Sequence, residues 1–478
     1  MSCLGLGDPQ FSPHLLARRG FLQQTGLGFG ALALSCLLQK KGLSLPARGA
    51  DMTPKRGHVP ARAKSVIMLF QNGGASHMDL FDPKPELNRR HGQQASGILA
   101  RNLTEHKAPL KGSAFRFQPY GESGIPFSEV VPRLGSVADE LCVIRSMFTN
   151  DPNHPGATYM MYTCNNRPGR PTLGAWTAYA LGTENQNLPG YVLLRDPGAW
   201  HCGGGMQVTN GWLPAIYRGT EFRSEGDAVL NLNPAVPRPY GVQQNNLNLL
   251  AKLNDTQRRK YPHESILEAR IQNLELAARM QLAAAELDLS SETKETKRLY
   301  GLDNELTASY GRSLLMARRL VERGVRFVQV LPPPPHSVWD HHGDLEKRLP
   351  VICGQTDLPA AGLITDLKRR GLLEETVVIW TGEFGRLPVG GSGRDHNPHG
   401  FTLLLAGGGL KAGHIHGATD ELGYAAVEDR VGVPDLFATI FHLLGIDHER
   451  LTYEVHGTVE DVTDSKVNDA RVVSELLA

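Results

Sequence analysis

The sequence contains little cysteine and almost no net charge. Six cysteines occur among 478 residues and none forms a CxxC pair, which argues against a zinc finger or a small disulfide-stapled domain. One or two disulfide bridges are still compatible with an oxidising compartment. Fifty basic residues balance 49 acidic ones, so no bulk electrostatic attraction to nucleic acid or to an anionic membrane is predicted. Glycine and proline are plentiful instead, at 52 and 31 residues, which favours many shaped loops.

The N-terminus carries two adjacent arginines ahead of an apolar run. Arg18 and Arg19 precede Phe21 and Leu22, and a modestly apolar run follows at residues 27–38. The run is shorter than the roughly eighteen residues of a membrane span, so no integral membrane domain is predicted. The order is typical of a twin-arginine export signal, and a basic terminus beside a short buried helix is the alternative. Residues 1–50 are therefore predicted to be an export signal and linker of a periplasmic or cell-surface protein.

Several apolar runs in the remaining chain open directly into polar loops. Runs at 66–70, 325–331 and 377–380 predict strands that are buried on both faces, as in a parallel sheet. Open α/β sheets bind ligands beyond the carboxyl ends of their strands, so the loops after these runs are expected to form the site. Residues 60–478 are predicted to form a single domain of the α/β class, with a helical segment at about 247–322.

Two of these loops concentrate histidine and aspartate. Three histidines and two aspartates lie within the nine residues from His336 to Asp344, and Asp395, His396 and His399 follow in a later loop. Imidazole nitrogen combined with carboxylate oxygen suits a divalent metal such as zinc, manganese or iron. A lone histidine is usually structural, so at least one histidine of the first loop is expected to lie outside the ligand set.

Another histidine precedes a helix-like run. His154 stands just before residues 157–163, where free backbone N–H groups favour an anion. Arg167 lies a few residues beyond that run and is able to contact phosphate, sulfate or carboxylate through two nitrogens. The alternative is a helix cap followed by a solvated basic loop.

Taken together, the motifs resemble a known family. The twin-arginine start and the segments NGGASHMDLFDPKP, WDHHGD, GEFGR, GRDHNP and VPDLFATIFHLLGID look like those of DUF1501, a family of exported bacterial proteins related to the sulfatase and alkaline-phosphatase superfamily. The resemblance covers roughly residues 15–478. It implies an alkaline-phosphatase-like α/β/α sandwich with a mostly parallel central sheet, and hydrolysis or transfer of phosphate or sulfate esters with one or two divalent metals.

The resemblance also implies metal ligands. Asp340 and His342 match the superfamily's aspartate and histidine pair after a strand, and His396 or His399 resembles its final ligand histidine. Glu383 stands in a further ligand segment. The metal candidates are Asp79, Asp340, His342, Glu383, Asp395, His396 and His399.

The match to the superfamily has gaps at functional positions. His154 falls at the nucleophile's place, Thr158 is the nearest hydroxyl, and no sulfatase-type Cys-x-Pro-x-Arg motif is present. Gln71 stands near the place of a usual metal-binding aspartate. Phe384 stands at another usual ligand position, and its side chain has no atom that binds a metal. A single-metal or degenerate site is therefore as consistent with the sequence as a two-metal site.

The leading hypothesis is an exported, metal-dependent hydrolase of an anionic small-molecule or polysaccharide ester of sulfate or phosphate. His154 would act as acid, base or nucleophile, and Arg167, Arg386 and Arg394 would bind the anionic group. The alternative is a catalytically degenerate, sulfatase-like carbohydrate-binding or assembly protein. The sequence leaves open whether the protein is an enzyme, its oligomeric state, and the metal, with zinc, manganese and calcium as candidates.

Overall fold

The fold is seen in a computed structural model. The structure describes residues 52–95, 108–196, 204–224, 228–229, 240–260, 265–282, 287–334 and 337–478. The predicted export signal at 1–50 and His336 lie outside these residues, so export stays a prediction. None of the helices in the described part of the chain has the length and apolarity that a membrane crossing requires.

Seventeen strands occur in the described residues. In chain order they are β1 (Ser65–Phe70), β2 (Phe117–Tyr120), β3 (Ile125–Ser128), β4 (Leu141–Phe148), β5 (Tyr191–Leu194), β6 (Thr220–Phe222), β7 (Phe327–Val330), β8 (Thr376–Thr381), β9 (Gly385–Arg386), β10 (His396–Asn397), β11 (Phe401–Ala406), β12 (His414–His416), β13 (Ala418–Thr419), β14 (Ala426–Glu428), β15 (Val431–Gly432), β16 (Thr452–Val455) and β17 (Thr458–Asp461).

Eleven α-helices occur in the same residues. They are α1 (His77–Leu80), α2 (Pro85–Arg89), α3 (Pro132–Gly135), α4 (His154–Thr163), α5 (Leu173–Leu181), α6 (Tyr240–Lys260), α7 (Ser265–Leu282), α8 (Lys294–Leu299), α9 (Glu305–Glu322), α10 (Leu345–Arg369) and α11 (Val433–Leu443). The helical segment predicted at about 247–322 contains α7, α8, α9 and most of α6.

A nine-stranded sheet lies at the centre of the fold. Its order is β12-β4-β11-β8-β1-β7-β5-β6, and β15 also pairs with β4. Only β11 runs antiparallel to its neighbours β4 and β8, while all other pairs in the sheet are parallel. The predicted α/β class with a mostly parallel central sheet is therefore confirmed.

Helices cover both faces of this sheet. Ile67 and Leu69 of β1 share a core with buried apolar side chains of α9 and α10. On the opposite face Phe70 of β1 packs against Tyr162 of α4, with ring centroids 4.6 Å apart. Because both faces are covered, every residue of β1 and β8 is buried, as a central parallel strand requires.

Helix α10 is longer than its sequence pattern predicts. The pattern indicates a helix from Leu358 to Arg369, whereas the observed helix begins at Leu345 and includes Pro350 and Pro359. Buried apolar side chains at helical spacing continue through both prolines, so packing outweighs the local cost of proline.

The cysteines described by the structure are not bridged. Cys142, Cys164 and Cys353 are free and buried, and Cys202 lies outside the described residues.

Candidate functional site

The candidate site lies at the carboxyl ends of the central strands. The neighbouring parallel strands β1, β7 and β8 all end on the same side of the sheet, which we call its carboxyl edge. The loops that follow them there begin at Gln71, Leu331 and Gly382. Strand β4 has the same direction and leads to α4, which begins at His154. The topology thereby collects side chains that are far apart in the sequence at one edge of the sheet.

Four side chains converge at this edge. His154, Asp340, His342 and His396 each offer one potential ligand atom, and these atoms all lie within 4.8 Å of one another. The Nε2 atoms of the histidines approach the Asp340 carboxylate at 3.3 Å for His154, 2.9 Å for His342 and 3.4 Å for His396. We call these residues the four-donor group.

The outer nitrogen of each histidine faces an oxygen atom. His154 Nδ1 lies 2.6 Å from Glu383 Oε1, and His396 Nδ1 lies 2.8 Å from the carbonyl oxygen of Pro152. His342 Nδ1 lies 3.6 Å from Asp395 Oδ1. At His154 and His396 an N–H at Nδ1 is able to donate to the oxygen and leave Nε2 available to a metal ion, which is the usual arrangement of metal-bound histidine. The separation of 3.6 Å at His342 is an electrostatic contact and not a hydrogen bond.

The four-donor group fits a divalent ion. A four-coordinate ion with bonds of about 2.0–2.1 Å separates its ligand atoms by roughly 3.3 Å. The observed separations include 3.0 Å between Nε2 of His342 and Nε2 of His396, and 2.9, 3.3 and 3.4 Å to Asp340. These separations are compatible with a single four-coordinate ion bound by all four side chains.

Asp340 is held in its anionic form. Burial alone would raise the pKa of Asp340, but hydrogen bonds from His154 and His396 and the charge of Arg386 hold it well below its usual range. Arg386 donates from Nη2 to Asp340 Oδ1 at 2.6 Å. The negative charge at the centre therefore persists at every pH where the protein is expected to work.

Arg386 is a buried support of Asp340. Only 1 % of its surface is exposed, and it also donates to the backbone carbonyls of Gly73, Gly74 and Arg394. These bonds connect Asp340 to the loop after β1. Arg386, which the sequence predicts to bind a substrate anion, therefore donates its hydrogen bonds to Asp340 and to backbone carbonyls of the protein itself.

Glu383 lies behind His154. It is fully buried, and the backbone N–H of Gly73 donates to its two carboxylate oxygens at 2.9 and 3.1 Å. The sequence places it among the metal candidates, whereas the structure places it outside the four-donor group, as the partner of His154 Nδ1. Its position predicts that it orients a ligand.

Replacement of Glu383 by glutamine is expected to weaken metal binding by about 10- to 100-fold, because partners that orient ligand histidines have effects of this size. Competition with a chromophoric chelator measures the change. The exposed Glu374 precedes β8 at the opposite edge of the sheet, so Glu374→Gln is the matched control. An affinity that is equal in both variants would contradict this role of Glu383.

Asp79 and Arg394 are paired with each other. Arg394 Nε lies 2.7 Å from Asp79 Oδ2, and Nη2 lies 3.2 Å from Oδ1. Both side chains are buried, and Arg394 also donates to the carbonyls of Lys111, Leu387 and Gly112. The structure therefore brings together a predicted metal ligand and a predicted anion-binding residue as a buried ion pair.

The remaining candidates lie around or beyond the four-donor group. Asp395 is half exposed beside His342, and its Oδ1 accepts a hydrogen bond from the backbone N–H of His396 at 2.8 Å. His399 contacts the ring of Tyr424, with centroids 5.1 Å apart.

The other two candidates lie along or after α4. Thr158 is fully buried within the helix, one turn after His154. Arg167 is exposed beyond the other end of the helix.

Two residues that depart from the superfamily pattern have structural contacts. Gln71 is fully buried and bonds Tyr310 Oη at 3.1 Å and Trp339 Nε1 at 3.0 Å. The ring of Phe384 packs against His154 and His396, with centroids 4.9 and 4.5 Å apart. The side chains of Gln71 and Phe384 therefore serve packing, and the described donors suffice for one ion.

Sequence reasoning missed the contribution of the Pro152 carbonyl. It orients His396, yet a backbone oxygen leaves no residue-type signal in the sequence. The structure shows that the loop after β4 lies against the loop that contains His396. The backbone N–H of Thr149, three residues before Pro152, donates to the carbonyl of Pro398 at 2.8 Å.

Metal binding is expected to depend on pH through His154. Burial lowers the pKa of His154, but hydrogen bonds to Asp340 and Glu383 outweigh burial and raise it to about 9. A proton and a metal ion compete for Nε2, so apparent affinity should rise about tenfold per pH unit up to that pKa and then level off. Chelator competition between about pH 7 and 10 measures this slope. A flat affinity below the pKa would contradict the assignment of His154 as a donor.

The fold and site together define an α/β protein with a three-histidine, one-aspartate donor group at the carboxyl edge of its sheet. The chain belongs to the family described as "Protein of unknown function (DUF1501)", which matches residues 63–477. Among curated proteins none matches the chain.

Several solved structures are distantly similar. The PsFucS1 sulfatase from Pseudoalteromonas sp. is 14% identical with a TM-score of 0.36, and covers 81% of this chain and 69% of its own. The phosphonate monoester hydrolase SpPMH from Silicibacter pomeroyi is 13% identical with a TM-score of 0.34, covering 80% and 73%. The alkaline phosphatase from the Antarctic bacterium TAB5 is 10% identical with a TM-score of 0.31, covering 80% and 98%. At such TM-scores these similarities identify no activity for this chain.

Proposed function

We propose that this protein is an exported, metal-dependent hydrolase of sulfate or phosphate esters, with esters on polysaccharides among its candidate substrates. The observation that carries the proposal is the convergence of three Nε2 atoms on the Asp340 carboxylate. Export rests on the paired arginines at Arg18 and Arg19.

The donor set narrows the choice of metal. Three imidazole nitrogens and one carboxylate oxygen suit zinc or manganese, whereas calcium takes six to eight oxygen ligands. A divalent ion held by this set would need a further coordination position beside the four protein donors, and would there supply Lewis acidity toward an ester oxygen and lower the pKa of a bound water.

The chain's own residues orient the centre and leave one side open. The Nδ1–H of His154 donates to the Glu383 carboxylate, and the Nδ1–H of His396 donates to the backbone carbonyl of Pro152. Half of the His342 side chain is exposed, so substrate and water approach on the side of His342 and Asp395.

Water is the proposed nucleophile. With its Nε2 directed into the donor group and its Nδ1 bonded to Glu383, His154 serves as a ligand in this proposal, in place of the acid, base or nucleophile role predicted from sequence. Thr158 is fully buried and so has no direct access to a substrate in solution. Hydrolysis therefore proceeds without a covalent enzyme intermediate.

A non-catalytic binding protein is the second candidate. Phe384 packs on two of the ligand imidazoles, and Gln71 is hydrogen-bonded in the core. Two positions that hold metal ligands in the superfamily pattern are therefore occupied here by side chains that serve packing. Such a protein would retain an anionic glycan without cleaving it.

Metal analysis combined with an ester panel separates the candidates. The purified, metal-replete protein is expected to contain about one equivalent of a divalent ion and to hydrolyse 4-nitrophenyl sulfate or a 4-nitrophenyl phosphate ester in a chelator-sensitive manner. One equivalent of metal with no hydrolysis, but with retention of a sulfated glycan, would favour the binding protein.

A further inference from the structure

The surroundings of the four-donor group are strongly acidic. Asp340 lies at the centre, Glu383 bonds His154, and Asp395 lies 3.6 Å from His342. A fourth carboxylate, Asp151, precedes Pro152, whose carbonyl oxygen bonds His396. Arg386 is the guanidinium bonded to Asp340, so these five groups together carry a formal excess of three negative charges.

Asp151 fills the anion position at the start of α4. The Asn153 N–H donates to Asp151 Oδ1 at 2.9 Å, and a Cβ placed on Gly156 would lie only 1.9 Å from Asp151 Oδ2. The carboxylate therefore lies directly against the first turn of the helix, where the helix dipole favours a negative group. The first turn of α4, which begins at the ligand His154, therefore already carries a carboxylate of the protein itself.

The arginines predicted to bind an anion are engaged elsewhere. Arg386 is buried and bonded to Asp340 and to three backbone carbonyls, and Arg394 is buried against Asp79. Arg167 lies beyond the far end of α4. The guanidinium groups of Arg386 and Arg394 are thus occupied by groups of the protein itself.

We propose that the site accepts monoanionic esters, namely sulfate monoesters or phosphodiesters, in preference to dianionic phosphate monoesters, and that Asp151 and Asp395 set this preference. The inference rests on the proposed function, because a bound divalent ion leaves a formal excess of one negative charge. A dianion is repelled by that excess about twice as strongly as a monoanion, since Coulomb energy is proportional to charge.

Equilibrium binding of small anions tests the preference without relying on turnover. Methyl phosphate at about pH 8 is a dianion, whereas dimethyl phosphate and methyl sulfate are monoanions of similar size. Titration calorimetry on the metal-loaded protein is expected to show tighter binding of both monoanions than of methyl phosphate. The two monoanions also distinguish a sulfate site from a phosphodiester site.

Matched variants assign the preference to the two carboxylates. Asp151→Asn and Asp395→Asn are each expected to improve methyl phosphate binding relative to dimethyl phosphate by about fivefold at low salt. Higher ionic strength should shrink this change, because exposed charges are screened; a purely structural effect would not respond in this way. Glu374→Gln, at the opposite edge of the sheet, is the control that should leave the ratio unchanged.

The outcomes separate this inference from the proposed function. Tighter binding of methyl phosphate than of dimethyl phosphate, or ratios that both Asn variants leave unchanged, would overturn the preference while leaving ester hydrolysis intact. If the metal-loaded protein bound none of the three anions and cleaved no ester, the preference and the proposed function would both fall.

Discussion

Asparagine in place of Asp340 is expected to lower metal affinity by more than about 100-fold and to abolish chelator-sensitive turnover, because loss of a ligand exceeds the effect of losing its supporting partner. Asp340 lies within 3.4 Å of all three ligand nitrogens, and no other carboxylate belongs to the four-donor group among the described residues. Elemental analysis of the folded variant gives the metal content directly.

A second variant and a matched control accompany this test. Asp340 also pairs with buried Arg386, so Asp340→Asn perturbs folding as well, whereas the His342 side chain is half exposed. His342→Gln should therefore lose metal without that complication. His399 lies three residues from His396 but outside the donor group, so His399→Gln should retain metal. Full metal content in both ligand variants would contradict the assignment.

Replacement of Asp79 by alanine is expected to lower the free energy of unfolding by about 3–5 kcal/mol, because it leaves the Arg394 charge buried without its partner. Burial raises the pKa of Asp79, yet the charge of Arg394 together with hydrogen bonds from Arg394, Ser76 and Ser113 outweighs burial and lowers the pKa, so the pair is ionised in the folded protein. Urea denaturation of the metal-loaded protein measures the loss.

The double variant Asp79→Ala, Arg394→Met provides the control for this pair. It removes both buried charges, so it should recover much of the stability lost in the single variant. Metal content per folded chain should be unaffected in both. If Asp79→Ala instead lost its metal with no change in unfolding, Asp79 would be a ligand, as its sequence motif suggests.

The fold could be predicted because local patterns determine it. The doubly buried apolar runs at 66–70 and 377–380 predict parallel strands, and these became β1 and β8 in direct register. The run at 401–406 is equally apolar, but its antiparallel direction as β11 depends on the connection to neighbouring strands. Composition and periodicity do not carry strand direction.

The candidate site could be predicted only in part for a related reason. Asp340, His342 and His396 stand in loops rich in ligand residue types, and the structure brings all three together. His154 stands apart in the sequence, and its use as a donor depends on Glu383 fixing its outer nitrogen. Sequence gives residue type and spacing, whereas a ligand set depends on side-chain direction across distant segments.

The most direct test of the metal centre is X-ray absorption spectroscopy of the zinc- or manganese-loaded protein. The four-donor group predicts a first shell that contains three imidazole nitrogens and one carboxylate oxygen, at about 2.0–2.2 Å for zinc. The His342→Gln variant should show no such shell. A shell composed only of oxygen atoms, or one that is the same in the variant, would contradict a metal centre built from these residues.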